Sequence, residues 1–512
     1  MSTPSAAASD VTGIWGMNGV ESGTAMAPGV DPGEGVRSVR AQRAELPLYV
    51  NRIKVYPRQV AGRFRRAKWA VLAACLAVYY AVPWLRWDRG PGAPDQAVLI
   101  DLPGRRGYFF AIEIWPQEVY LLTGLLILGA IGLFFVTAYF GRLWCGYACP
   151  QTVWTDLFML VERWIEGDRN ARIRLDKARW SAGKALRKAA KHGAWLAIAV
   201  ATGGAWVFYF ADAPTTLGEI LTGTASSTIY VFIGLFTATT YTLAGWAREQ
   251  VCTYMCPWPR FQAAMFDEHS FIVSYRRWRG EPRGKHKAGT SWEGRGDCVD
   301  CGSCVAVCPT GIDIRDGQQL ECIGCGLCID ACDDVMGKLE RPKGLIAFDT
   351  LASQQAHEAG RAHSHPWIRP RPILYLGVMA LVGGAMVASL VLRGDTELHV
   401  LRDRAPLFVT LSDGSIRNGY TIKILNKSRE ERSYALAIEG IAGATLSVVG
   451  AQPAPGADRA VVSARPDSVA TYRVYVAAPR TGQESVALVF RLADGTSGAH
   501  ASHTTSFVAP RR

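Results

Sequence analysis

Long apolar segments alternate with polar and charged segments over most of the chain. Five of the apolar segments approach the roughly 20 residues that a helix needs to cross the hydrocarbon core of a bilayer. The first is the weakest, because it is short and is followed directly by Arg86, and a buried core helix is the alternative there. We predict membrane-spanning helices at about residues 67–86, 119–140, 193–210, 228–246 and 371–392.

The loops between these segments differ in their content of lysine and arginine. Seven basic residues lie in 52–68 and eleven in 141–193, whereas 212–227 has none and 85–118 has four over a longer loop. Because basic loops remain in the cytoplasm, the N-terminus is predicted to be cytoplasmic. Five spans then place the segment between the fourth and fifth spans in the cytoplasm as well, and residues 393–512 on the opposite side.

The two ends of the chain have patterns of their own. Residues 1–50 are rich in Gly, Ser, Ala and Pro, show no apolar periodicity and are predicted to be a disordered tail without a signal peptide. In residues 393–512, stretches such as YTIKILN and TYRVYV alternate apolar and polar positions and are separated by turn residues. Short strands at this spacing predict an immunoglobulin-like β-sandwich.

Eight of the 13 cysteines lie between the fourth and fifth apolar segments, in two runs that read C-x2-C-x2-C-x3-C. This spacing is typical of ferredoxins with two [4Fe–4S] clusters, in which each run gives three ligands to one cluster and its fourth ligand to the other. The predicted ligands of one cluster are Cys298, Cys301, Cys304 and Cys332, and those of the other are Cys322, Cys325, Cys328 and Cys308.

A zinc ribbon and a disulfide framework are the alternatives for these eight residues. Zinc sites use C-x2-C pairs or mix in histidine, and they do not require C-x2-C-x2-C triplets. Disulfides require an oxidising compartment, whereas the predicted topology places the runs in the cytoplasm. The segment predicted to lie outside, 393–512, contains no cysteine. We therefore predict a two-cluster ferredoxin-like cytoplasmic insert in residues 261–370.

Two further cysteine pairs end the second and fourth apolar segments. They read LWCGYACP and QVCTYMCP. Residues 51–260 therefore contain a repeated hairpin of two spans, and each copy ends in a C-x-Y-x-C-P motif. Brought together, the pairs would form a four-thiolate copper or redox site, since soft thiolates favour Cu(I), zinc or iron–sulfur. Small packing residues are the alternative. The candidate residues are Cys145, Cys149, Cys252 and Cys256.

Composition narrows the class of protein further. Of the 512 residues, 49% are hydrophobic and only 20% are charged, which suits a chain that lies partly in a lipid bilayer and partly in water. The net charge of +12 comes largely from basic residues beside apolar segments, so membrane orientation explains it without a nucleic-acid partner. The predicted fold class is a multi-domain membrane protein with an α-helical transmembrane bundle. His363 and His365, in the linker before the last span, are expected to be solvated.

In this order of elements the chain resembles the CcoG/FixG/RdxA family, membrane-bound polyferredoxins that are accessory proteins of haem–copper cytochrome c oxidases. The resemblance covers about residues 50–512. It rests on NRIKVYPRQVAGRFRRAKW, on both C-x-Y-x-C-P motifs, on RFQAAMFDEHSFIVSYRRWRGEPRG, on the double cluster motif and on RNGYTIKILNKS at the start of the β domain.

The resemblance implies a bacterial inner-membrane protein with two [4Fe–4S] clusters and a periplasmic C-terminal domain. It also implies reduction of Cu(II) to Cu(I), with transfer of copper to a copper chaperone or transporter and contact with oxidase assembly factors. The electron donor and a homodimer are left open. Two other functions remain as alternatives: an electron relay between a cytoplasmic donor and a quinone or an exported reductase, and a non-enzymatic assembly scaffold.

Overall fold

The computed structural model describes residues 54–90, 92–286, 291–453, 458–480, 482–494 and 500–510. The predicted tail, residues 1–50, lies outside these ranges. The helices, in chain order, are α1 (Arg63–Ala81), α2 (Val119–Phe140), α3 (Leu143–Tyr147), α4 (Pro150–Glu166), α5 (Arg169–Lys177), α6 (Ala182–Val207), α7 (Ala213–Thr222), α8 (Ser227–Thr240), α9 (Trp258–Met265), α10 (Arg277–Gly280), α11 (Ser303–Val307), α12 (Leu327–Lys338), α13 (Leu351–Glu358) and α14 (Pro370–Val391).

Among the described residues, four helical segments are long and apolar enough to cross a membrane. These are Arg63–Trp84, Pro116–Phe140, Ser227–Ala247 and Pro370–Val391. They agree within a few residues with the first, second, fourth and fifth predicted spans. Such helices bury their backbone hydrogen bonds internally, as a bilayer demands, so a lipid bilayer is the expected environment of this part of the chain.

The third predicted span, residues 193–210, lies in α6, which is not among those four segments. The first half of α6 carries several lysines, including the buried Lys184 and Lys191, and these lower its mean hydropathy. The helix nevertheless packs closely on α8, because a Cβ added at Gly203 would lie 2.7 Å from the Ile233 carbonyl oxygen. By length and composition the described helices therefore support four of the five predicted spans.

Helices α2 and α14 lie antiparallel along each other. Near the start of α2, the hydroxyls of Tyr120 and Ser389 share a hydrogen bond of 2.7 Å. Near its end, the Tyr139 hydroxyl donates to the carbonyl of Trp367, just before α14, at 2.7 Å. The pair therefore joins two opposite ends of the bundle, one where α2 begins and one where it ends.

The C-terminal domain contains two five-stranded antiparallel sheets, as the alternating pattern predicts. In one sheet the strands follow the order 445–448, 468–478, 416–426 and 396–402, with 409–410 beside 416–426. In the other the order is 452–453, 459–464, 432–439, 485–494 and 500–508. Side chains of both sheets, such as Tyr420 and Phe490, form one buried core. The strands are β6 (Thr396–Arg402), β7 (Val409–Thr410), β8 (Ile416–Asn426), β9 (Arg432–Glu439), β10 (Thr445–Val448), β11 (Gln452–Pro453), β12 (Arg459–Ala464), β13 (Ser468–Ala478), β14 (Ser485–Asp494) and β15 (His500–Val508).

The β domain packs on the loop that precedes α2. This loop forms a three-stranded sheet of β1 (Val98–Asp101), β2 (Arg106–Phe109) and β3 (Ile112–Ile114). The Arg106 guanidinium pairs with Asp467 of the β domain, and the Lys427 ammonium donates to Glu118 at 2.8 Å. Because Glu118 stands directly before α2, these contacts fix the β domain at the end of the bundle where α2 begins.

The cysteine-rich insert lies at the other end. Its short strands β4 (Ile272–Tyr275) and β5 (Ile346–Asp349) pair antiparallel and enclose both cysteine runs in sequence. The Phe271 amide donates to the Tyr139 carbonyl at 2.8 Å, which places β4 beside the end of α2. The bundle therefore separates the insert from the β domain.

We predict that Glu118→Ala loosens the β domain from the helices. Glu118 is 3% exposed, and its carboxylate accepts hydrogen bonds from Lys427 and from the Trp115 amide at 3.1 Å. Removing one partner of a buried pair typically costs about 3–5 kcal/mol. We expect faster release of the C-terminal domain by protease in detergent, measured at neutral pH.

Glu397→Ala is the matched control for this change. Glu397 also accepts from Lys427, at 2.6 Å, but its side chain is 32% exposed. Burial lowers the pKa of Lys427, but the bonds to Glu118 and Glu397 outweigh it and raise the pKa. Lys427 is therefore charged at neutral pH, and its contribution to stability is lost as the pH rises through its raised pKa. Equal proteolysis rates for both variants would contradict the assignment of Glu118 as the main anchor.

Candidate functional site

The eight cysteines of the two runs occupy equivalent places in two loop–helix units. In each unit two cysteines lie in a loop and the third lies on a helix, Cys304 on α11 and Cys328 on α12. Gly302 and Gly326 precede these helices with φ angles of 63° and 73°, a left-handed conformation that glycine adopts without steric cost. The chain thus turns sharply around the space that the cysteines face.

The fourth cysteine of each run lies near the other run. Burial raises the pKa of the Cys332 thiol to about 12, and the neighbouring thiols of the first run add to the rise. Burial likewise raises the pKa of Cys322 to about 12, with contributions from Cys325 and from Cys308. Each fourth cysteine is therefore close to thiols of the other run, as the predicted exchange of the fourth ligand between the runs requires.

The residues fit iron–sulfur clusters. Five of the thiols line an open space of about 370 Å³ with mainly apolar walls, where they are shielded from water. Among the described residues, no three His, Cys, Asp or Glu side chains have the spacing for a single metal ion. A [4Fe–4S] cube binds thiolates at four separate corners, so its ligands stand further apart than the donors of one ion. The thiols that line the space are Cys304, Cys308, Cys322, Cys325 and Cys328.

The two membrane-end motifs lie where one helix stops and the next begins. Cys145 is on the short α3, and Cys149 caps the start of α4, whose first residue is Pro150. Cys252 lies in a π-helical segment, Val251–Met255, and Cys256 follows it. Wide π turns are rare and occur frequently at functional sites.

Cys145 and Cys252, one from each repeated hairpin, pack against the same buried apolar cluster. Burial raises the pKa of Cys145 to about 12, and the neighbouring Cys149, Cys252 and Cys256 influence it as well. Burial also raises the pKa of Cys252 to about 11, and the nearby Cys149 and Cys256 thiols add to the rise. The two hairpins therefore bring at least one cysteine each to the same place, and a single site for all four thiols stays a prediction.

The membrane-end site is in direct contact with the second cysteine run. A Cβ added at Gly146, between Cys145 and Cys149, would lie 2.9 Å from the Ile323 carbonyl oxygen and 3.0 Å from Cys325 Cα. The Tyr147 hydroxyl, from the same motif, donates to the Cys325 carbonyl at 3.0 Å. The glycine between the two cysteines has no side chain in the way, and the tyrosine donates a hydrogen bond. The backbone of this motif therefore contacts the backbone of the second run.

Two side chains that sequence reasoning did not assign structural roles hold this contact. The Arg142 guanidinium donates to the carbonyls of Leu320, Cys322 and Pro259, at 3.0 Å and 2.7 Å for the last two. Arg142 therefore connects both membrane-end motifs to the second run. Gln262, which is fully buried, accepts from the Cys145 thiol at 3.2 Å. Both depend on tertiary contacts, so no local pattern could reveal them.

Three histidines also lie together, contrary to the expectation for two of them. The ring centroid of His269 is 6.1 Å from that of His363 and 6.3 Å from that of His365. Each ring is half-buried and has at least one buried nitrogen without a hydrogen-bond partner. The expected solvation of His363 and His365 was wrong, because the linker folds back onto Phe271, whose ring centroid is 4.6 Å from that of His365.

We predict that Arg142→Ala weakens retention of the cofactor held by the second run. The change removes a buried guanidinium and leaves three carbonyls without their donor, at about 1–3 kcal/mol for each unsatisfied group. Iron content after purification should fall, with a lower melting temperature. Arg142→Lys should be intermediate, because an ammonium donates to fewer carbonyls than the planar fork. Wild-type iron and melting temperature in Arg142→Ala would contradict this role.

Three protein-family models match the chain. One described as "4Fe-4S binding domain" matches residues 122–168, and one described as "4Fe-4S dicluster domain" matches residues 247–351. A third, described as an "IG-like fold at C-terminal of FixG", matches residues 386–510. Both of the first two models describe iron–sulfur domains, so the protein binds iron–sulfur clusters and serves electron transfer.

Curated relatives match nearly the whole chain. Nitrogen fixation protein FixG of Rhizobium meliloti is 53% identical over 471 residues, covering 86% of this chain and 90% of the relative. Protein RdxB of Cereibacter sphaeroides is 50% identical over 468 residues, covering 90% and 97%. Protein RdxA of the same organism is 53% identical over 437 residues, covering 85% and 91%. The chain therefore belongs to the FixG/RdxA family of membrane iron–sulfur proteins, as the order of its motifs predicted.

Proposed function

We propose that this protein is a membrane-bound cupric reductase that supplies Cu(I) for the assembly of a cytochrome c oxidase. The observation that carries the proposal is the contact between two kinds of thiol site. Gly146 and Tyr147 hold the first membrane-end motif against the backbone of Cys325. Electrons held in the insert thus have a short path to soft ligands, and soft thiolates prefer Cu(I) over Cu(II).

Two [4Fe–4S] clusters in the insert would store the electrons, at potentials low enough to reduce cupric ion. The grouping of the thiols in space supports exchange of the fourth ligand between the runs, with Cys332 joining the first group and Cys308 the second. The chain's own contribution is to bury these thiols and exclude water. The ligand sets are Cys298, Cys301, Cys304 and Cys332, and Cys308, Cys322, Cys325 and Cys328.

Reduction of each Cu(II) to Cu(I) requires one electron, which a reduced cluster held by these cysteines would supply and be oxidised in doing so. A one-electron donor in the cytoplasm would reduce the cluster again. The four membrane-end thiols are the candidate redox or copper site, since they combine soft donors with burial. Cu(I) would then pass to a copper chaperone or transporter, and the cysteine-free β domain would contact oxidase assembly factors.

We further propose five spans in the bacterial inner membrane, with the insert in the cytoplasm and the β domain in the periplasm. The position of helix α6, which contains the third predicted span, supports a fifth crossing. It pairs with α8 along Gly203, and just after its end the Tyr209 carbonyl accepts from the Ile100 amide at 2.8 Å. It therefore runs between the same two ends of the bundle as α2. Its lysines then belong to the basic, cytoplasmic end.

The copper test uses protein purified anaerobically, reduced with dithionite and freed of excess reductant. On addition of Cu(II), we expect rapid reoxidation of the clusters and one Cu(I) for each electron released, measured by absorbance and a Cu(I)-specific chelator. Cys328→Ser should lose much of this capacity, because Cys328 belongs to the predicted ligands. Cys75→Ser, a change within α1 away from the thiol groups, is the control.

The outcomes separate the three functions. Clusters that remain reduced in Cu(II) but are reoxidised by a soluble quinone would overturn the cupric reductase and favour the electron relay. Clusters that neither acceptor reoxidises would favour the assembly scaffold, in which the clusters have no redox partner.

The topology predicts which reporters work at the C-terminus. A reporter that is active only in the cytoplasm should be silent when fused after Arg512, while a reporter that is active only in the periplasm should give a signal. The physical reason is the excess of basic residues in 52–68 and 141–193 together with an odd number of crossings. Cytoplasmic activity at the C-terminus would show that α6 or another span does not cross.

A further inference from the structure

We infer that an arginine-lined pocket between α4, α5, the start of α1 and the cysteine-rich insert binds a phosphate group, either as free phosphate or as the headgroup of an anionic lipid. The pocket has a volume of about 330 Å³, at the lower end of the range for small-molecule sites. Its charged lining residues are Arg58, Arg65, Arg163, Arg172 and Asp156. No cysteine of the described residues lines it, so its ligand is independent of the proposed copper reduction.

Two successive helices bring arginines to this pocket. On α4, Asp156, Met159 and Arg163 follow each other at intervals of three and four residues, so they lie on one face of the helix. Gly167 ends α4 with a φ of 88°, a backbone conformation that suits glycine, and the chain turns there into α5. Arg172 of α5 then lines the same pocket as Arg163. The turn thus directs two guanidinium groups to one space.

Two guanidinium nitrogens of the lining arginines are buried without a hydrogen-bond partner. They are Arg65 Nη2 and Arg172 Nε, and the two side chains are only 7% and 2% exposed. Buried donors without a partner are rare and costly in proteins, and charged ones cost the most. A phosphate oxygen accepts charge-assisted hydrogen bonds from such donors. An oxyanion in the pocket would therefore supply the partners that the protein itself does not.

The carboxylates near the pocket are shared among several cations. Asp156 pairs with Arg65 at 3.0 Å and also approaches Lys68 at 3.9 Å. Glu162 pairs with Arg172 at 2.9 Å, but it also pairs with two cations that do not line the pocket. Neither carboxylate is thus reserved for its arginine, and the lining keeps an excess of positive charge. This excess selects for an anion.

Arg163 has a guanidinium that is available to a ligand. Its Nε atom donates to the Met159 carbonyl within α4 at 3.3 Å, and in the part of the chain that the structure describes Arg163 forms no ion pair. Burial lowers the pKa of the Arg163 guanidinium, and the nearby Arg65 lowers it further. The planar fork of an arginine matches two oxygens of a phosphate group. We therefore expect Arg163 to form the main bond to the anion.

The position of the pocket brings it close to both sources of phosphate. Val307 and Pro309, on either side of Cys308, form one of its walls, so it lies at the end of the bundle that carries the insert. In the proposed topology this end faces the cytoplasm, which contains free phosphate. Trp164, next to Arg163 on α4, is 75% exposed. Exposed tryptophan is typical of the membrane–water interface, where lipid headgroups lie.

The test measures two ligands on the full chain, purified in detergent and freed of lipid. Equilibrium dialysis gives the affinity for radiolabelled inorganic phosphate, and native mass spectrometry gives the retention of phosphatidylglycerol. We expect wild type to bind one of them, and Arg163→Gln to bind it about tenfold more weakly or worse, because a charge-assisted bond is lost. Arg163→Lys should be intermediate, since it keeps the charge without the fork. Arg66→Gln, which removes an exposed arginine outside the pocket, should match wild type.

The two arms identify the source of the phosphate group. Phosphate binding that depends on Arg163 supports a site for the free anion, and retention of phosphatidylglycerol that depends on Arg163 supports a headgroup site. A wild-type chain that binds neither would overturn the inference whatever the variants do, so a variant that fails to fold leaves the test intact. Equal binding by wild type and Arg163→Gln would overturn it as well. Equal losses in Arg163→Gln and Arg66→Gln would do the same, because they would indicate general attraction to a basic surface.

Discussion

The close contact between the first membrane-end motif and the second cysteine run determines where every other part of the site lies. Gly146 has no room for a side chain, since an added Cβ would stand 2.9 Å from one backbone atom and 3.0 Å from another. Backbone atoms cannot move aside as a flexible side chain can, so this contact fixes the position of the insert on the bundle. The Arg142 guanidinium, which also contacts the second run, donates to the carbonyl of Pro259 beyond the second motif. The first membrane-end motif is thereby held in place beside the second run.

A chain of buried polar contacts also holds the insert on the bundle, from a second side. The Asp330 carboxylate, between Cys328 and Cys332 on α12, accepts from the Arg65 amide at the start of α1 at 2.7 Å. The Arg65 guanidinium pairs with Asp156 of α4 at 3.0 Å, and both side chains are almost fully buried. Burying charges costs desolvation that such pairs do not always recover. Their value here is geometric, because they orient the helix that carries two cluster cysteines relative to two helices of the bundle.

The sequence predicted the features that local chemistry determines. The cysteine spacing follows from the shape of the cofactor, and the apolar lengths of α2 and α14 follow from the bilayer, so both were visible without a structure. Helix α6 is less apolar because its first half carries lysines, and the sequence does not show that tertiary partners partly neutralise them, as where Lys191 approaches Glu166 at 3.0 Å. The Glu118–Lys427 bond joins positions 309 residues apart. Contacts of this kind depend on the final packing, and no periodicity records them.

The distribution of cysteine along the bundle also constrains where redox chemistry can occur. Helix α2 has 22 residues and rises about 33 Å, so it separates its two ends by the thickness of a membrane core. The twelve thiols of the three groups lie at the end where α2 finishes, while the β domain is fixed by ion pairs at the end where it begins. Residues 393–512 contain no cysteine. Under the proposed function, the electron acceptor would therefore approach the end of the bundle that carries the thiols, and the β domain would serve in docking.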